Sequence, residues 1–506
     1  MSNERNASNV TTNTNPDTTG AQGMASEPVI SVRDLTVSFA SEAGTVHAVR
    51  GMNFDLYPGK TLGIVGESGS GKSVTSMAIM GLLDKNASVK GSITYHGEEL
   101  LSKSDLEMSE IRGKGIAMVF QDPLSALTPV FSIGDQIKEA LITHNPKMTE
   151  QQIHDRSIEL MNLVGIPDPE DRLKSFPHEF SGGMRQRVMI AMAIANDPDV
   201  IIADEPTTAL DVTIQAQVLE VLRKAQRETG AAVIFITHDL GVIAGVADDI
   251  VVMYAGRPVE KADVDSIFDH PAMPYTMGLL GAVPRSDRER NSRLVPIPGS
   301  PMNLVNMPKG CPFAPRCPLA TDICHTTEPA MEPVPGRPGQ FVACHRTQEI
   351  VSKGLTFHDV YTVAEAAKSK FAGIPRDERK MVLDIKHMRK TFPLTAGGFL
   401  RRKIGEVKAV DDVTLDVREG ETVALVGESG SGKSTTLMEI MEFKQPQDGE
   451  IEMFGTKLEH KISREKRREL RSSVQYVFQD PMSSLDPRLP IYDILAEPMK
   501  VQHYSK

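Results

Sequence analysis

Short apolar runs alternate with longer amphipathic segments along the first half of the chain. Residues 61–65, 200–203 and 232–236 are apolar runs that end in polar residues, which is typical of buried strands in a parallel sheet. Looser alternation of apolar and polar residues over 29–39 predicts an edge strand. Apolar positions at helical spacing predict three helices, over residues 137–143, 149–164 and 184–196. The pattern therefore predicts an α/β fold with a mainly parallel sheet.

The second half of the chain repeats the pattern of the first. Four segments recur in the same order: 29–39 as 382–392, 48–56 as 409–417, 66–73 as 427–434 and 118–123 as 476–481. This repeat indicates a duplicated domain rather than a short-period solenoid. We predict five regions: a disordered tail over 1–27, a complete domain over 28–283, a Pro/Gly-rich region over 284–349, a linker over 350–380 and the N-terminal part of a second domain over 381–506.

Composition excludes several classes of protein. The 506 residues carry a formal net charge of −11, which argues against a nucleic-acid partner because phosphate neutralisation requires a basic face. No apolar run approaches the ~18 residues that a membrane span needs. The first 27 residues lack the basic start and apolar core of a secretory signal. All four cysteines lie between Cys311 and Cys344, which favours a reducing compartment over a disulfide framework.

Both halves contain the same glycine-rich loop, Gly-Glu-Ser-Gly-Ser-Gly-Lys-Ser. Its glycines allow a tight turn with inward-pointing N–H groups, its lysine reaches the β- and γ-phosphates of a nucleotide, and its last serine ligates Mg²⁺. The first copy provides the candidate nucleotide-binding residues Gly66, Ser68, Gly69, Ser70, Gly71, Lys72 and Ser73. The second copy provides Gly427, Ser429, Gly430, Ser431, Gly432, Lys433 and Ser434.

Polar residues that follow the predicted strands supply candidate catalytic groups. Asp204 suits Mg²⁺ through water, and Glu205 can accept a proton from an attacking water. His238 closes the next strand and can orient that water against the γ-phosphate. Gln121 can contact Mg²⁺ and sense the phosphate, and Gln479 repeats it in the second half. The predicted catalytic set is therefore Lys72 with Gln121, Glu205 and His238.

A second phosphate-binding helix end is predicted at Ser181, Gly182 and Gly183. These residues offer a hydroxyl, bare backbone amides and a helix dipole to an anion. Two phosphate-binding helix ends in one domain are redundant unless they serve different nucleotides. The arrangement therefore suggests a dimer.

The order of these motifs resembles the ATPase domain of ABC transporters over nearly all of residues 28–270. The resemblance implies these assignments: 66–73 as Walker A, Gln121 as the Q-loop, 180–184 as the signature, 204–205 as Walker B, 209–211 as the D-loop and His238 as the switch histidine. It implies ATP with Mg²⁺ and a P-loop fold with an antiparallel β edge and a helical subdomain. It also implies adenine stacking on Phe39 and Phe392, although a core-strand role for each ring stays open.

The signature segment departs from the family pattern. It has Phe180 and Met184 where Leu-Ser-Gly-Gly-Gln is commonest. Because Ser181 and backbone amides make the phosphate contacts, we expect function to survive the change.

The sequence after the first domain limits the resemblance to one group of ABC ATPases. Residues 270–276, 298–301 and 310–317 resemble the C-terminal region of ATPases that serve oligopeptide, dipeptide and nickel importers. That group implies two membrane permease subunits, an external solute-binding protein and a place at the cytoplasmic face of the cell membrane. A fused pair of ATPase domains resembles the peptide importers, so ATP-driven import of di- or oligopeptides is the expected function.

Other functions stay open beside peptide import. The alternatives are an ATPase that serves an importer of nickel or another solute of the same family, and a hydrolysis-deficient fragment or regulatory ABC protein. A soluble ABC ATPase acting on ribosomes or DNA would need a basic surface or a long coiled-coil insertion, and neither is visible in the sequence.

The four cysteines Cys311, Cys317, Cys324 and Cys344 have the ligand count of a four-thiolate metal centre. In the peptide-importer ATPases such a cluster resembles a [4Fe-4S] site. Zinc suits four thiolates equally, and unmetallated thiols are a further alternative.

The second half is expected to be incomplete as a motor. In the first half Ser181, Glu205 and His238 lie 60, 84 and 117 residues after Gln121, whereas 27 residues follow Gln479. A second signature, Walker B and switch histidine are therefore expected to be missing. Since ABC ATPases resemble one another in head-to-tail sites, activity is expected to need a second copy, a partner ATPase or the missing residues.

Overall fold

The structure is a computed structural model that describes residues 27–208, 210–283, 295–361, 369–396, 402–479 and 484–501. It divides into two compact units, Met1–Ala364 and Glu365–Lys506. The predicted disordered tail lies outside the described residues except for Glu27, as do 284–294 and 362–368 of the next predicted regions. In the described ranges no helix has the length and apolar character needed to cross a membrane.

The first unit contains twelve strands and fourteen α-helices among its described residues. The strands are β1 (Ile30–Ser41), β2 (Gly44–Leu56), β3 (Thr61–Val65), β4 (Ala87–Tyr95), β5 (Glu98–Glu99), β6 (Ile116–Val119), β7 (Val200–Asp204), β8 (Ala232–Thr237), β9 (Asp249–Tyr254), β10 (Arg257–Asp263), β11 (Glu332–Pro333) and β12 (Phe341–Val342). The helices are α1 (Lys72–Ile79), α2 (Asp105–Ile111), α3 (Pro123–Ala126), α4 (Ile133–His144), α5 (Glu150–Leu163), α6 (Pro169–Arg172), α7 (Gly182–Ala193), α8 (Val212–Thr229), α9 (Leu240–Ile243), α10 (Val264–Asp269), α11 (Pro274–Ala282), α12 (Asp322–Thr326), α13 (Thr347–Lys353) and α14 (Phe357–Val360).

An eight-stranded sheet organises this unit, in the order β11-β12-β10-β9-β3-β8-β7-β6. The strands from β9 to β6 pair in parallel, and β10, β11 and β12 continue the sheet antiparallel. Both faces are covered: Ile64 and Ile202 face one apolar core, while Val65 and Ala203 face the other. Parallel strands buried on both faces read as continuous apolar runs, so the prediction of a mainly parallel α/β sheet is confirmed.

The prediction that residues 29–39 form an edge strand is wrong. β1 lies inside a four-stranded antiparallel sheet, in the order β2-β1-β4-β5, and has a hydrogen-bonded neighbour on each side. The sequence does not predict the second neighbour of β1, strand β4, because Ile93 is the one fully buried residue of β4 and the strand shows little alternation of apolar and polar positions. Its inner face packs onto the parallel sheet through Val32 and Val37.

The three predicted helices of the first unit are confirmed as α4, α5 and α7. Each begins at a side-chain cap: Ser132, Thr149 and Ser181 accept hydrogen bonds from backbone amides of the first turn. Their apolar faces join one core with the parallel sheet. In α7, Val188 is fully buried and Met184 and Met192 pack against that core, as the helical spacing predicts.

The second unit contains β13 (Met381–Ala396), β14 (Arg402–Arg418), β15 (Asp448–Met453) and β16 (Thr456–Lys457), with helices α15 (Lys433–Met441), α16 (Arg464–Ser473) and α17 (Ile491–Val501). Its strands form an antiparallel sheet in the order β14-β13-β15-β16. Residues 421–428, which repeat β3 and the start of its loop, are described without strand pairing. Val426 is accordingly 88% exposed, whereas its counterpart Val65 is fully buried.

Candidate functional site

The first glycine-rich loop joins β3 to α1 and is shaped by positive φ angles. Gly69 has φ 76° and Gly71 has φ 98°. A Cβ at Gly71 would lie 2.3 Å from the carbonyl oxygen of Ala48, so only glycine fits. The buried Lys72 ammonium donates to the carbonyl oxygens of Gly66 and Glu67, at 2.9 and 3.1 Å. The backbone and Lys72 thus form one preorganised phosphate-binding loop.

Ser73 and Asp204 meet beside this loop. The Ser73 hydroxyl donates a 3.0 Å hydrogen bond to the Asp204 carboxylate, which lies at the carboxyl end of β7 and is almost fully buried. Burial raises the pKa of Asp204, and the neighbouring Glu205 adds to that effect. Burial also lowers the pKa of Lys72 against the opposing charges of Glu205 and Asp204. A hydroxyl next to a carboxylate at a strand end is a donor set that suits Mg²⁺.

Glu205 is held by three side chains from different elements. The Gln121 amide donates to its Oε2 at 3.0 Å and the Thr208 hydroxyl at 2.9 Å, while Nδ1 of His238 lies 3.2 Å from its Oε1. The Lys72 ammonium lies 4.0 Å from the same Oε1. The φ angle of Glu205 is 47°, a backbone conformation that side-chain-bearing residues adopt at a cost and that concentrates at functional sites.

The electrostatics of Glu205 keep it ionised. Burial acts to raise its pKa, but the hydrogen bonds from Thr208 and His238 and the charge of Lys72 outweigh burial, so the net shift is downward. Glu205 is therefore a carboxylate at neutral pH. A carboxylate in this position can accept a proton from a nucleophilic water.

A cavity of about 570 Å³ opens over these residues. Its lining residues come from the loop, the strand ends and α11: Gly66, Glu67, Ser68, Gly69, Gly71, Lys72, Ser73, Val74, Gln121, Glu205, His238 and Leu279. The structure thus brings together all four predicted catalytic residues. Phe39, Ser70 and Asp204 are not part of the lining, although Asp204 contacts it through Ser73.

Ser181, Gly182 and Gly183 lie elsewhere in the same unit and do not line this cavity. The Ser181 hydroxyl caps α7 by accepting a hydrogen bond from the Met184 amide at 3.3 Å. Ser181 and Gly182 are exposed, so this helix end faces outward.

The second glycine-rich loop has the same local form as the first. Gly430 and Gly432 have φ angles of 80° and 91°, and a Cβ at Gly432 would lie 2.1 Å from the Ala409 carbonyl oxygen. The Lys433 ammonium donates to the Gly427 carbonyl oxygen at 2.6 Å. Ser434 is the second residue of α15, and Gln479 is exposed in the same unit.

Comparison with known proteins decides the family. The model of the family described as ABC transporter matches residues 49–208 and 410–505. The chain belongs to the ABC transporter family. A second model, for the C-terminal region of oligopeptide/dipeptide transporters, matches residues 259–324. The chain is therefore an ABC ATPase of the oligopeptide/dipeptide type, as the resemblance of its motifs predicts.

Three relatives of this ABC ATPase illustrate the match. The oligopeptide transport ATP-binding protein OppD of Mycobacterium tuberculosis is 50% identical over 479 residues, which are 95% of this chain and 77% of that protein. The dipeptide transport ATP-binding protein DppD of Bacillus subtilis is 53% identical over 305 residues, covering 60% of this chain and 90% of the relative. OppD of Escherichia coli is 49% identical over 311 residues, covering 62% and 92%.

The four cysteines of the ABC ATPase are free thiols in its C-terminal region. Burial raises the pKa of Cys317 and of Cys344 to about 12, and neighbouring thiolates add to the effect. Negative charge on Cys317, Cys311 or Cys324 would raise the pKa of Cys344 further, so the four sulfurs lie near one another. Among the described residues, however, no group of three or more His, Cys, Asp or Glu side chains has the arrangement of a metal site.

Sequence reasoning missed three residues at the site, of which two contact the phosphate-binding loop and one lines the cavity. Tyr275 accepts a 3.0 Å hydrogen bond from the Glu67 amide, Arg316 pairs with the Glu67 carboxylate, and Leu279 lines the cavity. Tyr275 and Arg316 stand inside motifs that mark the family in the sequence. Their contacts with Glu67 span 208 and 249 residues, so no local pattern signals them.

Proposed function

We propose that this ABC ATPase hydrolyses ATP to energise the import of di- or oligopeptides. The observation that carries the proposal is the Glu205 carboxylate, held by Gln121 and His238 next to Lys72 in the cavity at the phosphate-binding loop. The names of its relatives in Mycobacterium tuberculosis and Bacillus subtilis, oligopeptide and dipeptide transport proteins, support the choice of solute.

The polar residues at the cavity divide the tasks of this mechanism. The loop amides and Lys72 bind the β- and γ-phosphates, and the α1 dipole adds positive potential. Ser73 and Asp204 would hold Mg²⁺, which would neutralise charge on the phosphates, and Gln121, which lines the same cavity as Ser73, would join them as a ligand. Glu205 accepts the proton of the attacking water while His238 fixes the carboxylate and orients that water.

The site takes its second phosphate-binding helix end from another ATPase domain. Residues 181–183 of the same domain do not line the cavity, and Ser181 and Gly182 are exposed, which supports a site completed in trans. The partner is a second copy of the chain or a separate ATPase. In this arrangement residues 28–283 act as the complete ATPase domain, and residues 381–506 contribute a second nucleotide-binding loop. Phe39 and Phe392 stack on adenine in the two loops.

An apolar groove next to Gln121 receives the permeases. It encloses about 330 Å³ and its apolar lining includes Leu82, Phe120, Met189 and Met192. Such a concave apolar surface suits an amphipathic helix from a membrane partner. Two permease subunits and an external solute-binding protein complete the transporter, which places this chain at the cytoplasmic face of the cell membrane.

The four cysteines bind one metal centre that staples the C-terminal region. The supporting observation is that the C-terminal region holds four free cysteines, the ligand count of a four-thiolate centre, although the described side chains are not arranged as a metal site. Cys311, Cys317, Cys324 and Cys344 are the ligands, and a [4Fe-4S] cluster or Zn²⁺ fits four thiolates. Anaerobic purification followed by metal analysis and visible absorption distinguishes the [4Fe-4S] cluster from Zn²⁺. If the purified chain contains neither iron nor zinc in stoichiometric amount, the metal centre is rejected.

ATP hydrolysis by the purified chain, measured over a concentration series with mass determined in parallel, tests the main proposal. We expect turnover to rise with the population of a dimer or on addition of a partner ATPase. Failure to bind ATP at any concentration rejects the motor. Reconstitution with the permeases then tests the solute, and ATP-dependent uptake of nickel but not of peptides rejects peptide import.

A further inference from the structure

Glu67, the second residue of the phosphate-binding loop, is held by two segments that are distant in the sequence. One is the cysteine-rich segment, where Arg316 lies between Cys311 and Cys317. The other is α11, which carries Tyr275. Neither segment belongs to the motifs that bind the nucleotide.

Arg316 donates two hydrogen bonds to the Glu67 carboxylate. Its Nη1 donates to Oε2 at 2.7 Å and its Nη2 to Oε1 at 3.0 Å. The Arg316 side chain is 6% exposed and that of Glu67 is 25% exposed. A bidentate, largely desolvated pair of this kind is directional as well as strong.

The guanidinium is itself fixed on its remaining sides. Its Nε donates to the Pro298 carbonyl oxygen at 2.8 Å, and Nη1 also reaches the Tyr254 hydroxyl at 3.3 Å. The rings of Tyr254 and Phe313 lie 5.7 and 6.0 Å from its central carbon. The Arg316 side chain is therefore held in one conformation, and its two hydrogen bonds fix the position of the Glu67 carboxylate.

The backbone of Glu67 is held at the same time. Its amide donates to the buried Tyr275 hydroxyl at 3.0 Å, and its carbonyl oxygen accepts from Lys72 at 3.1 Å. The carboxylate, amide and carbonyl of one residue thus connect Arg316, Tyr275 and the catalytic lysine. A shift of Glu67 moves the loop that lines the cavity.

We propose that Arg316 is a positioning residue for nucleotide binding, which acts by holding Glu67 and the phosphate-binding loop in the conformation that binds ATP. The inference rests on the proposed ATPase function and deepens it. Through Arg316 the cysteine-rich segment becomes part of the nucleotide site without touching the nucleotide.

The test is the Kd for MgATP of the full chain, measured by calorimetry in a Lys433→Ala background that silences the second loop. We expect Arg316→Ala and Glu67→Gln each to raise the Kd about tenfold, since preorganised contacts of this kind couple by such factors. The double variant is expected to lose no more than either single variant, because both changes break the same pair. Arg316→Lys, which keeps the charge but not the fork, should give an intermediate Kd.

The signs of the two single changes separate positioning from simple charge. If Arg316 acted only through its charge, Arg316→Ala would weaken binding while Glu67→Gln, which removes a negative charge beside the phosphates, would tighten it. Opposite signs, or additive effects in the double variant, therefore overturn the proposal. Failure of the unchanged chain to bind ATP would reject the proposed function instead.

Glu328→Gln is the matched control. Glu328 lies in the same C-terminal region and pairs with Arg50 and Arg257 of the core at 2.8 and 2.9 Å, but it does not touch the loop. Its replacement should leave the Kd unchanged. Melting temperatures are recorded for every variant, and if Arg316→Ala fails to fold, Glu67→Gln decides alone: a Kd that is unchanged or lower overturns the proposal.

Discussion

The Nδ1 atom of His238 lies 3.2 Å from Oε1 of Glu205. The two residues follow neighbouring strands, β8 and β7, whose parallel pairing brings their carboxyl ends together. Gln121, which follows β6 on the other side, holds the second oxygen of the same carboxylate. The position of the proposed catalytic base is therefore fixed by the sheet, with three adjacent strand ends converging on one carboxylate.

Replacing Glu205 with Gln should separate binding from hydrolysis. Glutamine has the same shape but does not accept the proton of the attacking water, so we expect turnover to fall at least ~100-fold. The Kd for ATP should change little, because Lys72 and the loop amides remain. Steady-state hydrolysis and equilibrium binding measure the two effects. Glu220→Gln on α8 is the control, and turnover of Glu205→Gln near that of the control would mean that another group accepts the proton.

Two glycines of the phosphate-binding loop should respond differently to alanine. Gly71→Ala places a Cβ 2.3 Å from the Ala48 carbonyl oxygen at a φ of 98°, so we expect more than ~2 kcal/mol of destabilisation and loss of ATP binding. Gly69→Ala meets nothing within 4 Å and incurs only the positive-φ strain of about 1 kcal/mol. Urea unfolding followed by circular dichroism measures both. Equal effects would show that the close approach to Ala48 is unimportant.

A partly buried ion pair distinguishes the second unit from the first. The Lys390 ammonium lies 2.6 Å from the Glu439 carboxylate, and the two side chains are 20% and 3% exposed. The repeat places Val37 and Ala78 at the corresponding positions of the first unit, where both are buried. An apolar pair and an ion pair thus occupy the same place in the two units.

Removing one partner of the Lys390–Glu439 pair should lower the free energy of unfolding more than replacing both partners. We expect Glu439→Ala to lower the free energy of unfolding by about 2 kcal/mol, because it leaves the Lys390 charge without a partner. The double variant Lys390→Val with Glu439→Ala, which restores the apolar arrangement of the first unit, should lose less than that single variant. Denaturant unfolding compares them, with Glu450→Ala of the exposed pair with Lys457 as a control that leaves stability nearly unchanged. A double variant less stable than Glu439→Ala would contradict the prediction.

A charge in the apolar groove should disrupt binding of the proposed permeases. We expect Leu82→Asp to abolish co-purification with the permeases while ATP binding is retained, because a carboxylate in the groove opposes burial of an apolar helix. Leu106→Asp is the matched control, since Leu106 is 77% exposed on α2 and does not line the groove. Permease capture that survives Leu82→Asp would move the docking surface elsewhere.

The parts of the site that the sequence predicts are those set by neighbours along the chain. The loop needs glycine at Gly71 in part because its φ of 98° is a local property of the turn. Strand β7 must end in polar residues where it leaves the core, so Asp204 and Glu205 could be placed. The neighbours of β1 could not, because strand order depends on pairing with β4, a segment of weak alternation.

The sequence does not predict the contacts of the C-terminal region either, because they also join segments that are distant in the chain. Arg316 stands beside a cysteine and reads as part of that cluster, but its partner Glu67 is chosen by the packing of Tyr254 and Phe313. Chain-distant packing of this kind leaves no periodicity to detect.

The pairing of Arg316 with Glu67 has a thermodynamic consequence for both the cysteine-rich segment and the nucleotide. Linkage requires that if an ordered cysteine-rich segment tightens ATP binding, then bound ATP orders that segment by the same free energy. ATP should therefore slow proteolysis of the region around Arg316, far along the chain from the loop. In such a protein the nucleotide is also a folding ligand for the C-terminal region.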